Sequence, residues 1–125
     1  MGCRSVLDIL SSGPTCFRKY IVRRIIHKVL SEKSREFLLA TMSHTRTGAG
    51  RLKGLLPKGT PVGHKTGTIG GVANDVGFVT LPDGRRFAIA VFTKSSTMPE
   101  AYRDRAIAEV SRTLCDFYYL TAQDK

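Results

Sequence analysis

Apolar positions along the chain change their period twice. Over 17–30 the residues Phe17, Tyr20, Ile21, Ile25 and Val29 recur at helical spacing, with Arg18, Lys19, Arg23, Arg24 and Lys28 between them. That pattern predicts a basic amphipathic helix whose apolar stripe packs on its own domain while the basic face is solvated. Ser31 is placed to cap a second helix, with Glu32 where the helix dipole favours a carboxylate, and Phe37, Leu38 and Met42 form its apolar face up to an end near His44. The stretch 45–60 holds Gly48, Gly50 and Gly54, then Pro57 and Gly59, and reads as a loop enclosing a short turn over 52–56.

Strand patterns follow at 61–68, 75–81 and 86–93. Pro82-Asp83-Gly84 joins the last two as an antiparallel hairpin, since Pro presets a turn and Gly accepts a positive φ. The run Phe87-Ala88-Ile89-Ala90-Val91-Phe92 is apolar almost throughout, which predicts a central strand covered on both faces. Pro99 suits the first turn of a final helix and Glu100 its positive end. Along that helix Ile107, Val110, Leu114, Phe117 and Tyr118 form a core-facing stripe, with Arg105, Glu109 and Arg112 turned away. The predicted class is α+β, an antiparallel sheet of about three strands flanked by an N-terminal helical region and a C-terminal helix.

Composition narrows this reading. A length of 125 residues with 42% hydrophobic content fits one globular domain. Residues 1–16 mix Gly, Ser, Pro and Cys without a period and are expected to be a leader, with the domain over 17–125. Twenty Lys and Arg against ten Asp and Glu leave a net charge of +10, which raises nucleic acid, an anionic membrane or an acidic substrate as partners. Cys3, Cys16 and Cys115 are an odd set without CxxC or CxxH spacing, so neither a disulfide framework nor a zinc site is expected, and no cofactor is implied. No apolar run reaches membrane-spanning length, and Asp8 and Gly13-Pro14 break the first apolar stretch too early for a signal-peptide core, so no export signal is expected.

Candidate chemistry lies between residues 51 and 68. Lys65, Thr66 and Gly67 present an ammonium, a hydroxyl and an unobstructed backbone along one strand, which suits an extended substrate carrying a carboxylate. Around them stand Leu30-Ser31-Glu32-Lys33-Ser34-Arg35, Thr47-Gly48, Arg51-Leu52-Lys53-Gly54, His64-Lys65-Thr66-Gly67-Thr68, Gly71-Val72-Ala73-Asn74-Asp75-Val76-Gly77 and Leu81-Pro82-Asp83-Gly84-Arg85. In this order, from about Leu30 to Tyr118, the chain resembles the C-terminal portion of the class A serine β-lactamases. The resemblance implies a fragment of an α-β-α sandwich and a β-lactam as the small-molecule partner. It implies that Lys65 tunes the site electrostatically and helps hold the substrate carboxylate, with Thr66 hydrogen-bonding it. Gly67 lies on the same strand, and Thr68 matches the position whose backbone N–H forms half of an oxyanion hole. Arg51 matches a place where some members set an arginine behind the strand to support carboxylate binding, the alternative being a solvated loop arginine. His64 stands where many members carry Asp.

The family's acyl transfer needs a serine followed three residues later by lysine, and none of these serines has that neighbour. Ser-Asp-Asn and Glu-x-x-Leu-Asn are absent too, since Glu36 and Leu39 are followed by Ala40. The chain is therefore expected to be inactive alone, to expose apolar surface and strand edges, and to be marginally stable. An N-terminal complementing fragment is a possible partner, and the family works in the periplasm or outside the cell. A different class of reading makes the chain a non-catalytic basic module that binds anionic membrane or nucleic acid through 17–30. The absence of an aromatic-interleaved motif speaks against a nucleic-acid partner.

Overall fold

The computed structural model of the chain describes residues 29–121. The leader 1–16 and all but the last two positions of the helix expected over 17–30 lie outside these residues. The chain divides into two compact units, Met1–Leu38 and Leu39–Lys125.

Helix α1, Glu32–Ser43, runs through the division between the units. Ser31 begins it as expected, its Oγ accepting the Ser34 N–H at 3.2 Å. The apolar face assigned to this helix is not a core face, because α1 buries none of its residues and Phe37 is 74% exposed.

In the second unit, strands β1 (Val62–Ile69), β2 (Val72–Thr80) and β3 (Arg86–Phe92) form an antiparallel meander in the order β1-β2-β3, followed by helix α2 (Glu100–Leu120). In β1 and β2 Lys65 pairs with Val76, Thr66 with Asp75, and Thr68 with Ala73. β2 begins earlier than its hydrophobic pattern suggests because Gly70 and Gly71 close a tight turn, with Gly71 at φ +71°. The Pro82–Gly84 turn forms as predicted, with the Gly84 N–H donating to the Leu81 carbonyl at 2.9 Å.

The core gathers Leu52 from the loop, Val62, Ala73, Val79, Leu81, Phe87 and Ile89 from the sheet and its turn, and Ile107 and Cys115 from α2. Two expectations change. Among the described residues β3 is an edge strand buried on one face, with Phe87 and Ile89 inside and Phe92 70% exposed. A run of apolar residues reports hydrophobicity but not which faces are covered. On α2 the buried side is Ile107, Ala108, Ser111 and Cys115, with Val110 and Phe117 exposed. Of the expected stripe Ile107, Leu114 and Tyr118 do meet the core, with the Tyr118 ring tilted 5.1 Å from that of Phe87. Pro99 serves as the N-cap residue before the first helical turn, its carbonyl accepting the Tyr102 N–H at 3.1 Å. Burial pushes the Cys115 thiol above its ordinary pKa, and the neighbouring Asp116 adds to the shift. The Tyr118 phenol is raised by burial alone.

Candidate functional site

The loop before β1 carries Arg51 into the interior. Gly48 turns the chain at φ +66°, where a side-chain carbon would meet the Thr66 methyl at 2.5 Å. The Arg51 N–H closes this turn on the Gly48 carbonyl at 2.9 Å. Arg51 is 2% exposed, so it is not a solvated loop residue.

Its guanidinium is fully engaged. Nε donates to Asp104 Oδ1 at 2.7 Å, and Nη1 donates to the carbonyls of Asn74 at 3.1 Å and Gly67 at 3.4 Å. Nη2 donates to Thr68 Oγ1 at 2.8 Å and to Glu100 Oε1 at 3.1 Å. A guanidinium has five N–H donors, and each has a partner here. The two carboxylates come from the first turns of α2, so Arg51 ties that helix to the end of β1.

Lys65 presents a different environment. It is exposed, and its Nζ donates to the carbonyl of the adjacent Thr66. Strand alternation sets Thr66 and Thr68 on the face of β1 that meets Arg51 and Thr47, and Lys65 on the other. Thr66 Oγ1 lies 2.7 Å from Thr47 Oγ1. Gly67 is exposed and adds no side chain to the edge.

Beneath these residues is a buried pair that sequence reasoning did not assign. His64 and Asp75 are both fully buried, with His64 Nδ1 at 2.9 and 2.7 Å from the two carboxylate oxygens of Asp75. Asp75 Oδ2 also accepts the Leu52 N–H at 3.3 Å, and the His64 carbonyl accepts the Thr45 hydroxyl at 2.5 Å. The register makes them diagonal neighbours on one face, since Thr66 pairs with Asp75 across the strands, a relation that the sequence alone does not give.

The structure thus joins Arg51 to Gly67 and Thr68, sets Thr66 against Thr47 on the same face of the strand, and leaves Lys65 exposed on the other. No group of His, Cys, Asp and Glu among the described residues is arranged to hold a metal ion. No described helix is long and apolar enough to cross a membrane. Residues 20–118 match the Beta-lactamase enzyme family.

The chain belongs to the β-lactamase enzyme family. It is 39% identical over 113 residues to the β-lactamase VEB-1 of Pseudomonas aeruginosa, a match that covers 84% of this chain and 38% of that protein. It is 46% identical over 94 residues to the extended-spectrum β-lactamase PER-1 of the same organism, covering 70% of this chain and 30% of that protein. The crystal structure of a class A β-lactamase from Bacteroides cellulosilyticus superposes with a TM-score of 0.67 at 40% identity, over 74% of this chain and 36% of that one. The chain therefore spans less than two fifths of the length of these relatives.

Proposed function

We propose that residues 17–125 form the carboxylate-binding wall of a serine β-lactamase domain, with residues 1–16 outside it, and that these 125 residues by themselves do not turn over a β-lactam. The observation that carries this reading is a contrast across one strand: Lys65 is exposed with its ammonium on the Thr66 carbonyl at the open edge of β1, while a saturated Arg51 braces the strand from behind through the Thr68 hydroxyl.

The donors divide the work. Arg51 is matched by Asp104 and Glu100, so the charge offered to a substrate carboxylate comes from Lys65. Because Arg51 Nη2 donates to Thr68 Oγ1, the Thr68 O–H is left to donate to an acceptor outside the sheet. Arg51 therefore acts through Thr68 and supports carboxylate binding without touching the substrate. The His64 and Thr66 carbonyls accept from the Thr45 hydroxyl and the Lys65 ammonium rather than from β2, and the two-residue period puts the Thr68 N–H on the same open edge. That N–H suits a developing oxyanion.

Opening the lactam requires a nucleophile, and no Ser-x-x-Lys occurs in these residues. A polypeptide that supplies Ser-x-x-Lys and Glu-x-x-Leu-Asn is the partner that would restore the reaction. The test uses the purified chain. Nitrocefin is expected to show no hydrolysis above that of a Lys65→Ala variant, while benzylpenicillin is expected to shift the backbone amide resonances of residues 65–68. Sustained hydrolysis overturns the claim of inactivity, and unshifted resonances at saturating benzylpenicillin overturn the binding role.

A further inference from the structure

We propose that Asp75 is the positioning residue of this wall, holding the Arg51 loop in register with the Lys65 strand through the Leu52 N–H and the His64 ring. Both cations of the site sit one residue from a group bonded to the Asp75 carboxylate: Leu52 follows Arg51, and His64 precedes Lys65. The carboxylate belongs to β2, the middle strand, so it acts as a fixed point between the loop on one side and β1 on the other. The Thr45 hydroxyl on the His64 carbonyl, and the Lys53 ammonium on the Thr45 carbonyl at 3.3 Å, close a second link between the same loop and strand.

The chemistry of the histidine supports a positioning role. A carboxylate accepts, so His64 Nδ1 carries the donated proton, and Nε2 has no partner among the described residues. A buried ring nitrogen without a partner is unfavourable, and an apolar side chain of similar size would fill the site without that penalty. What the imidazole offers over an apolar filler is its N–H to Asp75. Arg51 cannot set the loop alone, since its five bonds fix the guanidinium while the loop backbone beside it is fixed by Leu52 on Asp75.

This inference rests on the carboxylate-binding reading above, and one experiment separates the two. In the full chain, the ¹⁵N signal of the Arg51 Nε–H reports the geometry of the Arg51–Asp104 bond without ligand, and a benzylpenicillin titration reports binding. Asp75→Asn is expected to shift the Arg51 Nε–H signal and the Lys65 amide and to weaken benzylpenicillin at least tenfold. Asp75→Ala is expected to do so more strongly, because Asn keeps one oxygen for Leu52. Val79→Ala, in the same core but outside the network, lowers the unfolding midpoint and is expected to leave the Nε–H signal and the affinity where they were.

If Asp75→Asn lowers the midpoint as Val79→Ala does with the Nε–H signal unmoved, the proposal is overturned. Should neither Asp75 variant fold, His64→Phe removes the Nδ1 donor while filling the space, and an unmoved Nε–H signal there overturns the proposal equally. Absence of benzylpenicillin binding by the unsubstituted chain defeats the binding reading, while the Arg51 signal still decides the role of Asp75.

Discussion

Arg51 and Lys65 carry the same charge, around the same strand, in opposite environments. Arg51 is buried with every donor engaged and two carboxylates against it, whereas Lys65 is exposed and among the described residues bonds a neighbouring carbonyl. On the proposed reading, the difference separates holding a site from serving it. A guanidinium suits the first task because its fixed fork satisfies several acceptors at once, and an ammonium on a flexible stem suits the second.

The strongest way to break this contrast is Arg51→Ala. It leaves Asp104 without its partner and takes from the carbonyls of Gly67 and Asn74 the donor that each has beyond the strand ladder. A loss of about 3 kcal/mol is expected in urea denaturation, the lower end of the range for a broken buried pair, because Glu100 is more than half exposed and screened by water. Arg51→Lys recovers less than half of that, since one ammonium cannot replace the fork.

Gly48→Ala comes next. A β-carbon at φ +66° and 2.5 Å from the Thr66 methyl is expected to cost about 1–3 kcal/mol and to shift the amides of both Thr47 and Thr66. An equal loss of stability with those amides unmoved would place the strain elsewhere.

Alkaline pH acts away from the cluster and serves as a control. The Cys115 thiol is raised in the folded chain, so its stabilising share is complete below the ordinary thiol value of about 8.5 and is lost as the pH climbs toward the folded value. The unfolding midpoint is expected to hold up to about pH 8 and then fall. In Cys115→Ala the decline starts nearer pH 10, where Tyr118, raised in the same sense, takes over. An unchanged onset in that variant removes Cys115 from the account.

Lys65→Ala has the smallest effect on stability, expected within about 0.5 kcal/mol because the side chain is exposed. The same substitution is expected to abolish the benzylpenicillin shifts. A stability loss as large as that of Arg51→Ala would collapse the distinction between the two cations.

Much of this organisation was legible in the chain. The strand-rich middle, the Pro82–Gly84 turn, the capping Ser31 and the final helix follow from period and local turn chemistry, and these properties are encoded within a few residues. The Lys65-Thr66-Gly67 edge was legible as a resemblance. The partners of Arg51 were not, because they lie 16 to 53 residues away and no periodicity connects them. The His64–Asp75 pair escaped for a related reason: a polar residue inside a strand pattern reads as exposed until the opposite strand is known. Among the described residues β3 lies at an edge rather than in the centre, and apolar content alone does not say what covers each face.

The meander also has a bearing on the order of assembly. Each strand pairs with its neighbour in the chain, Ile69 against Val72 across the first turn and Thr80 against Arg86 across the second, so the sheet closes through short loops. The Arg51–Asp104 bond waits for a segment 53 residues further on, and its loop-closure entropy is larger. The sheet is therefore expected to form first and the Arg51 brace to lock late, so that losing the brace should shorten the lifetime of the finished fold while leaving the rate at which it is reached almost unchanged.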